Sequence, residues 1–332
     1  MTLKASVAKN GAVLLGRNVS CDSHDSARPI RVVTHAHYDH LGGLRQSLRT
    51  CKAVIMTPAT RDLLTVLRGP MYLRNGNVYA MNYGETLKHD GEKVTLHKAD
   101  HILGAAQVLV EDKDCARIVY TGDFRMSGTP VLETDILVLE ATYGSPFQVR
   151  PFRKIVESTL VSLVESALKI GPLYIFGYHG KLQEVMHILH KNHVDVPFIM
   201  PQRVFHAAKV CERYGMRLGK ILSTDEEETK EIMKTNDPHV AFHHMNSKRY
   251  VGNDALRICV SGLEFSGPRR QVAPNEHVVA LSDHADFREL LQYVSESKPK
   301  LVITDNHRVG DAAVLAHEIE KQLGIPAMAS PA

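Results

Sequence analysis

Several things are scarce in this chain of 332 residues. No apolar run approaches the ~20 residues that a membrane span needs, so a membrane-embedded protein is not expected. The start, Met1-Thr2-Leu3-Lys4, is followed by no signal-peptide core, and a cytoplasmic protein is the simplest expectation. Cysteine is sparse and dispersed: Cys21, Cys51, Cys115, Cys211 and Cys259 form no CxxC pair. That set reads as reduced thiols, not as a disulfide framework. Neither sign of charge dominates, with Lys+Arg 40 against Asp+Glu 37 and a formal net charge of +3. Any polyanion must therefore be met by a local basic patch. Repeats and low-complexity segments are absent, which excludes solenoids and extended linkers. Tryptophan is missing too, which says little.

What is present is ordinary for a soluble enzyme, 44% hydrophobic and 23% charged. Short β-branched runs such as Arg31–Thr34, Ala53–Met56, Val94–His97, Arg117–Thr121, Ile136–Glu140 and Leu301–Thr304 alternate with helical periodicity. This mixture predicts an α/β architecture with covered sheets. Pro151 suits the start of a helix that ends at Gly171, Asp286 an N-cap, and Asp311 the start of a last helix stopping at Gly324. The acidic run from Asp225 to Glu228 reads as a solvated first helical turn.

Histidine, at 19 residues, is abundant, and its placement carries the chemistry. His35, His37, Asp39 and His40 follow the strand Arg31–Thr34 within six residues. Strand alternation sends His35 and His37 to one side, and the turn beyond can aim Asp39 and His40 at a neighbouring point. Imidazole nitrogen with carboxylate oxygen is the ligand set of zinc or a similar borderline metal. His101 and Asp123, the latter directly after a strand, are further candidates. His243 and His244 fall on opposite faces of a strand and are left out. A Gly-Lys pair entering a helix, Gly180-Lys181, is a plausible phosphate seat. Arg269 and Arg270, in a Gly-Pro-Arg-Arg turn, are basic residues able to track a phosphate backbone.

The HxHxDH run, the later His101 and the TGD around Asp123 resemble the metallo-β-lactamase fold. Glu140-Ala141-Thr142-Tyr143-Gly144 and Ser282-Asp283-His284-Ala285-Asp286 resemble motifs of its β-CASP branch, the nucleic-acid-processing members. The chain looks closest to the ligase-associated DNA exonucleases and more distantly similar to Artemis-type DNA nucleases. The resemblance implies an αββα sandwich, residues 1–144 and 238–332, with an inserted α/β β-CASP cassette at 145–237. It implies His35, His37 and His101 on one metal, Asp39 and His40 on another, and Asp123 bridging. Asp22 looks like the acid supporting the first motif, its alternative being a turn aspartate. The family's last ligand is usually a histidine in a strand-end motif; the text here is Asp305-Asn306-His307-Arg308-Val309-Gly310. His307 is the natural candidate, with Asp305 and Asn306 as alternatives.

Two Zn2+ ions are expected, with Mn2+ or Mg2+ as alternatives. Two metals roughly 3.5–4 Å apart can generate a hydroxide near neutral pH and offset charge on a phosphate. His284 would donate the proton to the leaving oxygen, oriented by Glu140. The expected function is phosphodiester hydrolysis in nucleic acid, DNA favoured over RNA, as a DNA exonuclease. A ribonuclease of the mRNA 3′-end-processing or ribonuclease J type is the neighbouring reading. Ester or lactone hydrolysis and non-catalytic nucleic-acid binding are the readings of other classes.

Overall fold

The computed structural model describes residues 4–74, 76–235, 237–252 and 255–332. The chain forms two compact units, Met1–Val149 with His284–Ala332, and Arg150–Asp283. The first six strands are β1 (Ala5–Val7), β2 (Val13–Leu15), β3 (Val19–Cys21), β4 (Ile30–Val32), β5 (Ala53–Met56) and β6 (Val78–Ala80). They make one sheet in that order. α1 (Leu44–Thr50) packs on β5, and α2 (Pro58–Arg68) follows β5, its first turn capped by Thr57, with Pro58 at a position that needs no amide donor.

The second sheet holds β7 (Thr86–His89), β8 (Glu92–Lys98), β9 (Ala106–Glu111), β10 (Arg117–Tyr120) and β11 (Ile136–Leu139). Strand alternation divides its side chains between two cores. Val108, Val110, Ile118, Tyr120 and Val138 meet Val13, Leu15, Ile30, Val32 and Ile55 of the first sheet. Their neighbours Leu109, Val119, Leu137 and Leu139 point the other way, onto helices near the C-terminal end. The first unit is therefore helix, sheet, sheet, helix in section, the α/β sandwich expected from the sequence.

The other unit contains α3 (Arg153–Leu168), β12 (Leu173–Gly177), α4 (Lys181–Lys191), β13 (Phe198–Met200), α5 (Gln202–Arg213), β14 (Ile221–Ser223) and α6 (Glu227–Thr235). It continues through β15 (Val240–His244), β16 (Leu256–Val260), β17 (Arg269–Ala273) and β18 (Glu276–Val279). These strands form one sheet in the order β14-β13-β15-β12-β16-β18-β17. The unit thus runs to Asp283, whereas the sequence reading ends the insertion at 237. The reason is pairing: β15 and β16 flank β12 in parallel, and β18 lies parallel to β16, so the run after 237 belongs to this sheet.

The chain returns to the first unit with α7 (Phe287–Ser297), β19 (Leu301–Asp305), α8 (Ala312–Leu323) and β20 (Ala327–Ser330). Asp286 caps α7 by accepting from Arg288 N and Glu289 N, and α8 ends at a left-handed Gly324, both as the sequence indicates. Phe287, Leu290, Tyr293 and Val294 of α7, with Leu315 and Ile319 of α8, fill the outer core. All five cysteines are free, four buried and Cys115 exposed. Among the described residues no helix is long and apolar enough to cross a membrane.

Candidate metal centre

Strands end at one edge of the first unit, and the loops beyond them carry the chemistry. β4 runs into Thr34-His35, β8 leads to His101, β10 to Asp123 and β11 to Glu140. Gly122 makes the turn before Asp123 with φ +56°, and a Cβ there would stand 3.0 Å from Ala106 O and 3.3 Å from Thr34 Cβ. Glycine is what lets the Asp123 backbone pass this close to β4.

Ligand atoms of His35, His37, His101 and Asp123 all lie within 4.8 Å of one another. His37 Nδ1 is 3.1 Å from His35 Nε2 and 3.0 Å from His101 Nε2. Asp123 Oδ2 is 3.7 Å from His35 Nε2 and 3.8 Å from His101 Nε2. A neutral His37 offers one lone pair at Nδ1, which two N–H donors cannot both use well. A cation among three ring nitrogens and one carboxylate satisfies all four groups.

His40 lies on the other side of Asp123. Its Nε2 is buried and makes no well-formed hydrogen bond, with Asp123 Oδ2 at 3.2 Å and Asp39 Oδ2 at 3.5 Å. Its Nδ1 is fixed 2.7 Å from the fully buried Asp22 Oδ2. Asp22 also accepts from Thr34 N at 2.8 Å and Thr34 Oγ1 at 2.7 Å. Asp22 therefore ties the strand end to His40, the kind of partner that orients a ligating imidazole.

The electrostatics of this cluster call for positive charge. Burial works against an ionised Asp123, yet His40, His284 and His35 hold its carboxyl well below the usual range. Desolvation likewise opposes charge on Asp39, and His40 pulls its carboxyl down to about 2. Burial pushes the His40 imidazole down, but Asp123 and Asp22 prevail and raise it well above its ordinary value. Buried His35, surrounded by other imidazoles, is pushed well below its own. A bound cation meets the same demand that a proton on His40 meets here.

His284 stands beside this group. Its Nδ1 is 2.9 Å from Glu140 Oε2, and its ring centroid is 4.8 Å from that of His101. Glu140 is locked in turn: Oε1 accepts from Phe124 N at 2.8 Å, and its own N donates to Thr121 Oγ1 at 3.2 Å. Burial raises the Glu140 pKa, and the neighbouring His284 partly offsets this.

The remaining sequence candidates lie elsewhere. His307 is exposed, and its ring packs so closely on Gly11 that a Cβ there would stand 2.3 Å from Cδ2. The cause is Asp305: its carboxylate accepts from His307 N at 2.9 Å and pairs with Arg308, fixing the turn with His307 outward. Arg308, next in sequence and overlooked there, is the side chain that turns in; Tyr120, Asp22, Asp305 and Asp123 sustain its charge against burial. Within the other unit, Lys181 is buried and pairs with Asp283 at 2.8 Å. Arg270 Nε donates to Glu264 Oε2 at 2.6 Å, while Arg269 is exposed on β17. A hydrogen bond from Ser266, with Arg270 added, overcomes burial and draws the Glu264 carboxyl to about 2.

Comparison with known proteins gives the family. A family model described as the beta-lactamase superfamily domain matches residues 15–179. The chain is 39% identical over 138 residues to an uncharacterized protein in the lig 3′ region of Acidianus ambivalens, which covers 41% of this chain and 99% of that protein. It is 29% identical to an RNase J-like protein of Methanocaldococcus jannaschii, across 96% of this chain and 92% of the relative. It is 24% identical to the transcription termination factor FttA of Pyrococcus horikoshii, across 89% of this chain but 59% of that longer protein. In fold it is similar to the crystal structure of a protein of unknown function from Enterococcus faecalis V583, with TM-score 0.59 and 15% identity over 86% of this chain and 77% of the other. The chain belongs to the metallo-β-lactamase superfamily, in its β-CASP nuclease branch.

Proposed function

We propose that the chain is a metal-dependent phosphodiesterase acting on nucleic acid, a DNA exonuclease first. The observation that carries this reading is the convergence of His35, His37, His101 and Asp123, with the His284–Glu140 pair beside them. These four residues would hold one divalent ion, Zn2+ by donor type. Asp39 and His40, with Asp123 between the two positions, would hold a second. The second position has fewer donors, and the guanidinium of Arg308 bears on Asp123 and His40, so it is the weaker of the two. Bound ions supply Lewis-acid polarisation of a phosphoryl oxygen and offset its charge.

The chain's own groups do the rest. Asp22 holds His40 in one orientation. Glu140, fixed by Phe124 N, faces His284 Nδ1 and stabilises the ring as an imidazolium. His284 then has a proton to give to the leaving oxygen. A second reading, ribonuclease, is favoured by the RNase J-like relative, which aligns along nearly the whole chain. Incubating the protein with end-labelled single-stranded DNA and RNA of the same sequence, with and without chelator, separates the readings. Chelator-sensitive loss of DNA alone supports the first, loss of RNA alone the second, and loss of neither overturns both.

A further inference from the structure

The helices after the histidine motif present a face that the metal centre does not use. In α1, Arg45 and Arg49 stand one turn apart on the exposed side, while Leu44, Ser47 and Leu48 are buried. In α2, Ala59, Thr60, Leu63 and Leu64 are buried and Arg68 is exposed as the last residue. Together these helices and the turn beyond them line an open cavity of about 610 Å³, bounded by Arg45, Leu48, Arg49, Arg68, Met71 and Tyr72. Among the described residues three guanidinium groups and no acid line it. Among the described residues none of the three is paired with a carboxylate, unlike Arg61, which pairs with Asp62.

Two of these arginines lie over aromatic rings. Arg45 Cζ is 5.6 Å from the Tyr72 ring centroid, and Arg68 Cζ is 4.7 Å from that of Tyr38. Tyr38 stands between His37 and Asp39 in the motif itself, yet it is 78% exposed. Arg68 thus joins the basic face to the turn that carries the candidate ligands. The Tyr38 ring stands in solvent beside the candidate ligands, with Arg68 over one face.

We infer that this face seats a single-stranded polynucleotide and leads it to the metal centre. The inference rests on the phosphodiesterase reading above. Each Arg–Tyr pair offers a cation for a phosphate and a flat face for an unstacked base, which is the alternation of a single strand. A duplex keeps its bases stacked inside and has no use for the rings. A simple anion would need the arginines but not the tyrosines.

The test is binding of fluorescein-labelled, phosphorothioate-linked oligothymidine and oligouridine of about 12 nucleotides, a span such sites take. Anisotropy is read on the full chain with its metals across a salt series. Replacing Arg45, Arg49 and Arg68 together by Ala should flatten the slope of log K against log salt by about 2, at about 0.7 per lost phosphate contact. Tyr38→Ala and Tyr72→Ala should each weaken binding about 5- to 150-fold, and Tyr38→Phe should not. A control losing the charges of Lys230, Lys234 and Lys321, all exposed on α6 and α8, should keep the wild-type slope. If wild-type protein binds both strands and the triple variant binds with equal affinity and slope, the inference is overturned while the phosphodiesterase reading stands. If both Tyr→Ala variants bind as wild type, or polyglutamate displaces the strands as well as unlabelled oligonucleotide does, the face is a plain anion surface and the inference is wrong. Wild-type protein that neither binds these strands nor cleaves unmodified DNA or RNA overturns both.

Discussion

In the first unit, side chains from the loops after β4, β8 and β10 turn their ligand atoms toward one another, and Asp123 Oδ2 faces the ring nitrogens of His35, His40 and His101. In the second, the basic residues that stand out in the sequence turn toward acids: Lys181 to Asp283 and Arg270 to Glu264. The difference lies in what each cluster leaves unsatisfied. His40 Nε2 is buried without a well-formed hydrogen bond, whereas the Glu264 carboxylate is held by Ser266 and Arg270 together. Electrostatic need that the fold leaves open points to a ligand, and need that the fold meets internally points to structure. By that criterion the first unit is where a ligand would bind, and Lys181 and Arg270 already have their counterions.

The largest effect should come from Asp123, which stands between His35, His101 and His40. Asp123→Ala removes the carboxylate common to both metal positions and leaves clustered imidazoles with no counter-charge. Hydrolysis should fall to the uncatalysed background, and elemental analysis should find metal largely lost. Wild-type turnover or a full metal complement in this variant would break the contrast between the units.

Next comes His284. Unlike Asp123, it reaches the cluster as a partner of Glu140, and its proposed task is protonation. His284→Ala should keep its metal and lose about 10²–10⁴ in turnover on a nucleic-acid strand. The loss should shrink on a nitrophenyl phosphodiester, whose leaving group needs no proton. Equal loss on both substrates would give His284 a role in holding the phosphate instead. Glu140→Gln keeps a side chain able to face His284 Nδ1 but removes the charge behind it. A smaller loss, about 10–100-fold, is expected, as for other oriented second partners. The pH profile of turnover should move with it, which a merely structural role for Glu140 would not produce.

The two clusters were not equally legible in the sequence. His35, His37, Asp39 and His40 are contiguous on a strand end, where alternation and one turn fix their relative direction, so the pattern alone brings them together. Glycine before Asp123 and the carboxylate at the end of β11 are local signals of the same kind. Covered sheets were legible too, because β9 to β11 are near-continuous apolar runs, buried on both faces; the sandwich itself came from the family resemblance. Pairing between distant segments was not. Nothing near Lys181 announces Asp283, and nothing at 237 says that β15 and β16 flank β12. Short strands such as β1, β2 and β3 are three residues each, too short for periodicity to register. Arg45 and Arg49 were not singled out in the sequence; the burial of Leu44 and Leu48 shows which way that face looks.

The smallest effects, and the sharpest for the metal count, concern neighbours on the loop after β19. His307 has the right chemistry for a last ligand and the wrong direction: it is exposed, with its ring on Gly11. Arg308 has the wrong chemistry and the right direction, its charge bearing on Asp22 and Asp123. A guanidinium repels a cation at the Asp39–His40 position while stabilising the same acids without it. His307→Ala should therefore leave metal stoichiometry and turnover at wild-type values. Arg308→His removes the competing charge and adds a nitrogen donor. Binding of the second ion, followed by calorimetry or metal-buffer titration, should tighten by about tenfold, the scale of one partner around a metal site. The first ion, held by His35, His37, His101 and Asp123, should be little changed. Should His307→Ala lose the second ion, the loop must turn over when metal binds, and Arg308 would be the residue displaced. Should Arg308→His instead lose metal from both positions, the guanidinium is needed to neutralise Asp22 and Asp123, and its charge works with the ions and not against them.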